Sequence, residues 1–179
     1  MKIPNELITE RLILRQYVED DFDAFFNFLS DPTATRFLRF TEEQKTQHGA
    51  RAFFYEVIQS YASYQPIFAL AIIHKEKETY IGSCGLSPLS DGSSVECFYA
   101  LLPSYWGSGF AVEAVSAIFR YAFSELRIEK IVAQIHPENR PSRHVAEQLG
   151  MMNQGMIVDK ETGKNVNCFV LMKKDYLIV

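Results

Sequence analysis

The residues best equipped to do chemistry lie in one run, Glu96-Cys-Phe-Tyr-Ala-Leu-Leu-Pro-Ser-Tyr-Trp-Gly-Ser-Gly-Phe-Ala111. It reads as a strand, a bend at Pro103, a glycine-bearing turn and the start of a long amphipathic helix. A helix that opens on a glycine turn presents backbone N–H groups without intrahelical acceptors, at the positive end of its dipole. That is a binding site for phosphate or diphosphate. Gly107 and Gly109 can take positive φ, and Ala111 keeps the first turn narrow. Two common phosphate motifs are excluded. The dinucleotide fingerprint needs a third small residue where Val112 stands, and the nucleotide-triphosphate loop needs a Gly-Lys-Ser/Thr ending that is absent.

The elements around this run set its context. Glu10 to Tyr17 is predicted as a first strand. Phe22, Phe25, Phe26 and Leu29 recur at helical spacing, and Asp31-Pro32 ends that helix. Thr41-Glu-Glu-Gln44 has the form of a capping box leading into a helix with Phe53, Phe54, Val57, Ile58 and Tyr61 on one face. Strands are predicted over 66–74 and 79–86, with Lys75–Glu78 as the hairpin tip, and a turn at Asp91-Gly92 leads into 95–101. After the glycine turn, Ala111, Ala114, Val115, Ile118, Phe119 and Ala122 keep helical spacing. A strand over 130–135, a short helix over 141–149 closed by Gly150, and strands over 151–159 and 166–173 about a turn at Thr162-Gly163 complete the chain.

The order βααβββαβαββ is mixed α/β. The strand–helix–strand unit in its middle should make 95–101 and 130–136 parallel neighbours with a right-handed crossover. Pro103 and Pro137 cannot donate to a ladder, so pairing should fail at the carboxyl ends of these strands and open a cleft.

Four stretches together resemble the GNAT N-acetyltransferase superfamily, in its branch similar to the RimJ/RimL ribosomal-protein acetyltransferases. They are Thr9-Glu-Arg-Leu-Ile-Leu-Arg15, Glu96, the loop Trp106–Ala111, and Asn139-Arg-Pro-Ser-Arg-His-Val145 followed by Leu149-Gly150. In the loop, Gly109 and Ala111 hold the small positions, and Trp106 stands where Gln or Arg is usual. The resemblance covers nearly the whole chain. It implies one GNAT domain over 1–179, with a mixed sheet splayed between strands 95–101 and 130–136 and flanked by helices. Acetyl-coenzyme A would be the cosubstrate, its pantetheine inserted in the splay.

Acetyl transfer from a thioester to an amine requires a deprotonated amine, a stabilised carbonyl oxygen and a departing thiolate. A free α-amine has a pKa near 7.7–8.0, so a carboxylate or a water it polarises suffices as base. Glu96 is a charged residue in an otherwise apolar strand, and the resemblance makes it that base; its bland role is to face water. Backbone N–H groups around Tyr99 to Leu101 would hold the carbonyl. Asn139 is placed to cap a helix by accepting the Ser142 N–H, and the resemblance adds contact with coenzyme A. It also implies that Ser142 protonates the thiolate, against a purely structural role. Trp106, Gly107, Ser108, Gly109, Phe110 and Ala111 form the diphosphate loop. There Trp106 contributes backbone, and its ring is expected to act as a lid on Tyr105 or Phe110. Arg36-Phe-Leu-Arg-Phe40 would form part of the acceptor pocket.

Composition bounds the rest. A chain of 179 residues with 47% apolar and 22% charged residues is globular, and a net charge of −4 gives no reason to expect nucleic acid. Coenzyme A is polyanionic, so the attraction must be local, from the helix terminus and cations such as Arg140, Arg143 or Lys130. A helix end contributes roughly 0.3–1 kcal/mol per charge, against about 8 kcal/mol for micromolar binding. Most of the affinity must therefore come from pantetheine and adenine. No run suggests a membrane span or a signal peptide, so a cytoplasmic location without a membrane partner is expected. Cys84, Cys97 and Cys168 are expected as reduced core thiols, and neither they nor His74, His136 and His144 show metal or dyad spacing. The acceptor, a protein N-terminal amine or a small-molecule amine, stays open, as does monomer or homodimer. A silent acyl-coenzyme A sensor and a nucleotide-binding domain are the competing readings.

Overall fold

A computed structural model describes residues 1–89, 92, 94–159 and 162–176. The elements run β1 (Glu6–Ile8), β2 (Leu12–Arg15), α1 (Phe22–Ser30), α2 (Gln47–Ser60), β3 (Phe68–His74), β4 (Thr79–Pro88), β5 (Ser94–Leu101), α3 (Phe110–Ser124), β6 (Lys130–Ile135), α4 (Arg140–Gln148), β7 (Met152–Val158), β8 (Asn165–Met172) and α5 (Lys173–Tyr176). The strands form a mixed sheet in the order β1-β2-β3-β4-β5-β6-β8-β7. The chain divides into two compact units: Met1–Gly85 with Tyr99–Ala117, and Leu86–Phe98 with Ile118–Val179.

In the first unit the predicted opening strand is a hairpin. The turn at Thr9–Arg11 breaks the alternation, and β1 folds back antiparallel on β2 with Leu7 opposite Leu14. The Thr9 hydroxyl takes the Leu12 N–H at 2.9 Å, the kind of local bond by which threonine diverts a chain from a ladder. Strand β2 then pairs antiparallel with β3, Leu12 opposite His74 through Arg15 opposite Ala71.

Helix α1 ends where Asp31-Pro32 predicts, with Asp31 extended and its carboxylate accepting the Thr33 and Ala34 N–H groups. Its buried face is Phe22, Phe25, Phe28 and Leu29, so Phe28 takes the place expected for Phe26. Phe26 instead stacks on Phe22 at the half-buried margin. The capping box at Thr41 is real: the Thr41 hydroxyl accepts the Gln44 N–H and the Gln44 amide oxygen accepts the Thr41 N–H. It closes a separate turn, however. Helix α2 starts later, at Gln47, capped by Thr46 on the Gly49 N–H. Phe54 joins Tyr17, Phe22 and Phe25 in edge-on and tilted pairs at 5.2–5.5 Å, each worth about 0.5–1.5 kcal/mol beyond area burial.

In the second unit β6 pairs antiparallel with β8 along its whole length, Lys130 opposite Met172 to Ile135 opposite Asn167. Strand β7 lies beyond β8 with every residue exposed and an irregularity between Asn153 and Met156. The helical stretch from Ile118 buries Ile118, Phe119, Ala122 and Phe123. The expected turn at Thr162-Gly163 forms, with the Gly163 N–H on the Asp159 carbonyl. The short closing helix α5 was not anticipated; its Tyr176 ring packs on Phe123 at 4.9 Å. The turn expected at Asp91-Gly92 includes residues outside those described.

The strand–helix–strand unit is parallel as expected, but its ladder does not run to the prolines. Among the described residues the register comprises Ser94 with Lys130, Val95 with Ile131 and Glu96 with Val132. Pro103 and Pro137 lie further on, so they do not cause the break. The other end of β5 is committed to β4: the Leu102 N–H donates to the Ile81 carbonyl at 2.9 Å. Gly82 allows that approach, since a Cβ there would stand 2.2 Å from the Ala100 carbonyl oxygen.

Candidate active site

In the first unit the chain leaves β5 through Pro103–Tyr105, a single 3₁₀ turn, and reaches the glycine turn before α3. Gly107 has φ +74° and Gly109 has φ +80°, a region where any other L-residue costs roughly 1–2 kcal/mol. A Cβ on Gly107 would meet nothing within 4 Å, and one on Gly109 only the Arg11 Nη2 at 3.4 Å. Both glycines therefore border open space. The Glu113 N–H donates to the Gly109 carbonyl, which makes Gly109 the residue before the first helical turn. The N–H groups of Phe110, Ala111 and Val112 precede that bond and have no acceptor four residues back. Converging donors beside a backbone without side chains suit a phosphate.

Trp106 does not cover Phe110. Its indole N–H donates to the Leu101 carbonyl at 2.8 Å, and the residue is 46% exposed. The side chain thus ties the turn back to the end of β5. Phe110 is buried instead against Tyr105 and His74, with the Arg11 guanidinium 4.4 Å from its ring centroid.

Arg11 and Glu113 are functional candidates that sequence reasoning passed over. The Arg11 Nη1 donates to the Ser108 carbonyl at 2.9 Å, and its Nε donates to Glu113 Oε2 at 2.6 Å. Glu113 Oε1 also accepts from the Thr9 hydroxyl at 2.6 Å and from the Arg11 N–H at 2.7 Å. Burial alone would raise the Glu113 pKa; the donors from Thr9 and Arg11 outweigh it and hold the carboxyl below its usual range. The signal was present in the Thr9-Glu-Arg stretch, but nothing in a single sequence shows that its turn reaches α3.

In the second unit Glu96 sits at the last parallel pair, opposite Val132, half-buried. Its charge is felt by two thiols. Burial, then Glu96, pushes the Cys97 thiol up to about 12. Burial also raises Cys168, with Lys130 opposing and Glu96 reinforcing. All three cysteines are free, and these two are thiols at neutral pH, poor nucleophiles. Asn139 caps α4 as expected, its side-chain oxygen accepting the Ser142 N–H at 3.2 Å. Ser142 is half-buried in the first turn, and the Arg143 Nε is buried without a hydrogen-bond partner.

Two of the histidines make local hydrogen bonds: the His74 Nδ1 accepts the Lys77 N–H, and the His136 Nδ1 accepts the Glu138 N–H. Arg36 lies over the Phe37 ring and Phe40 packs on Phe53. Among the described residues no group of three or more acidic, Cys or His side chains is placed to hold a metal. Nor is any helix long and apolar enough to cross a membrane.

Within the first unit the structure therefore brings together Leu101, Trp106, Ser108, Gly109 and Phe110, with Arg11 added. Within the second it joins Asn139 to Ser142. A helix that opens on two positive-φ glycines suits a phosphorylated ligand. Residues 11–152 match the acetyltransferase (GNAT) domain, and the chain belongs to that family. It is 31% identical over 175 residues to an uncharacterized N-acetyltransferase, p20, of Bacillus licheniformis, covering 95% of this chain and 97% of the relative. The fold matches a GNAT-family acetyltransferase of Bacillus anthracis with TM-score 0.80 and 22% identity, over 94% of this chain and 99% of the other. It also matches a spermidine N-acetyltransferase of Vibrio cholerae solved with coenzyme A and spermine, TM-score 0.77 and 20% identity, over 94% and 99%. The chain is an acetyltransferase.

Proposed function

We propose that the whole chain acts as one domain that moves an acetyl group from acetyl-coenzyme A directly to a primary amine. The observation that carries this reading is the bare turn at Gly107 and Gly109 beneath three helix-start N–H groups. In this reading the amides of Ser108 to Ala111 hold the diphosphate. Tyr99 and Leu101 offer backbone groups to pantetheine and to the thioester oxygen. Leu101 has already committed one lone pair to the Trp106 indole.

Glu96 removes the proton from the acceptor amine, directly or through a water, and the freed nitrogen attacks the thioester carbonyl. Ser142 gives its hydroxyl proton to the sulfur as the carbon–sulfur bond breaks and is reprotonated by the proton that the acetylated nitrogen sheds, so coenzyme A leaves as the thiol. Asn139 keeps its cap with one side-chain atom and uses its amide NH₂ toward coenzyme A. The raised Cys97 and Cys168 thiols favour this direct route over a covalent acyl-cysteine.

Support for a branch similar to RimJ/RimL, acting on protein N-termini, comes from the Thr9–Arg15, Trp106–Ala111 and Asn139–Val145 stretches. The fold likeness to a spermidine acetyltransferase supports a polyamine acceptor equally. An acceptor panel of N-terminal peptides and polyamines, followed by thiol release from acetyl-coenzyme A, tests the proposal. Glu96→Gln should lower turnover about 10²–10⁴-fold, with coenzyme A affinity unchanged and part of the loss recovered at higher pH. Release that Glu96→Gln leaves intact removes Glu96 from the chemistry. No release from the parent protein on any amine favours the silent acyl-coenzyme A sensor.

A further inference from the structure

We infer that Arg11 is a positioning residue for the diphosphate loop, setting the direction of its amides and neutralising the one acid in the first turn of α3. The inference rests on the coenzyme A reading above. Three contacts made by one side chain carry it. The Arg11 Nη1 holds the Ser108 carbonyl at 2.9 Å, its Nε holds Glu113 at 2.6 Å, and its guanidinium lies 4.4 Å from the Phe110 ring centroid.

A peptide group is planar and trans, so its C=O and N–H point in opposite directions. Anchoring the Ser108 carbonyl therefore turns the Gly109 N–H away from Arg11. Two glycines flank Ser108, and with their freedom of φ and ψ this peptide would otherwise rotate readily. Arg11 replaces that freedom with a fixed donor.

The second effect is electrostatic. Glu113 is favourable at the positive end of the helix dipole, but its carboxylate would repel a diphosphate bound there. Its lowered pKa keeps it ionised at neutral pH. Pairing it with Arg11 cancels that charge, and it does so where Trp106 supplies no cation to the loop. Lysine cannot replace the arginine, since one ammonium lacks the planar fork that reaches the Ser108 carbonyl and Glu113 while lying on an aromatic face.

Calorimetric titrations with coenzyme A and with pantetheine, which carries no phosphate, test this on the full chain. Arg11→Met should weaken coenzyme A about ten- to a hundredfold and pantetheine less than about twofold. Arg11→Lys should recover only a small part. Adding Glu113→Gln to Arg11→Met should restore affinity partially, because the repelling charge is gone. Coenzyme A binding within about twofold of wild type in Arg11→Met overturns the inference, and so does an equal loss for pantetheine. Should Arg11→Met not fold, nitrogen-15 relaxation of the ligand-free protein decides. The Gly109 amide should have a lower order parameter in Arg11→Lys than in wild type, and an unchanged order parameter overturns the inference. Failure of the wild-type protein to bind coenzyme A would sink the site reading instead; the relaxation comparison would still report on Arg11.

Discussion

Helices α3 and α4 begin in opposite ways. Helix α4 follows Asn139, whose side chain accepts the Ser142 N–H and so satisfies one of its own orphan donors. Helix α3 follows Gly109, which has no side chain to offer, and a second glycine stands two residues earlier. A side-chain cap gains about 0.5–2 kcal/mol over alanine at the same position and only a few tenths over glycine. A start that forgoes this, and holds its backbone instead by an arginine from a hairpin turn, keeps its donors available. On the proposed reading the α4 start serves mainly stability and the α3 start serves a ligand.

Closing the open start should have the largest effect. Asparagine tolerates positive φ better than other non-glycine residues and can cap, and at Gly109 its Cβ would meet only the Arg11 Nη2, at 3.4 Å. Gly109→Asn should therefore fold with a thermal midpoint close to wild type and lose about tenfold or more in coenzyme A affinity by calorimetry. Retained affinity would mean that the α3 amides are not the anion site.

The reciprocal change opens the closed start. Asn139→Ala should cost about 0.5–2 kcal/mol, a fall of several degrees in melting temperature for a chain of this length. If its melting temperature stays put while affinity falls, the asparagine is a ligand contact and little else. The contrast drawn here would then be too sharp.

The smallest effect concerns acid. The folded pKa of Glu113 is lowered, so its contribution is present above the unfolded carboxylate value of about 4.3 and fades as pH falls through the folded value. Stability curves of wild type and Glu113→Gln should separate above that pH and converge in acid. Curves that stay parallel throughout would show that the Thr9–Arg11–Glu113 contacts stabilise nothing. Arg11 is partly exposed, so salt should reduce the gap.

The same contrast explains what could be read from the sequence. Several local features were legible: the Asn139 cap, the glycine turn, the end of α1 at Asp31-Pro32, and the strand 130–135. These depend on residues a few positions apart. Errors arose where tertiary contacts decide. Phe26 and Phe28 are equally apolar, and only packing sends Phe28 inward. The Thr41 capping box is locally satisfied, yet the helix starts at Gln47. One miss was local: Thr9 breaks the first strand by accepting the Leu12 N–H with its own hydroxyl. The parallel ladder ends at Glu96, short of both prolines, and no spacing in the chain marks that point. Arg11 and Glu113 lie about a hundred residues apart in the chain, so neither could be joined to the loop by spacing.

The central claim, that the α3 amides hold the diphosphate of coenzyme A, is tested most directly by a nitrogen-15 amide titration. Coenzyme A should shift the Gly109, Phe110 and Ala111 resonances strongly, and pantetheine should leave them near their ligand-free positions. Equal shifts with both ligands, or coenzyme A shifts confined to other residues, would contradict the claim.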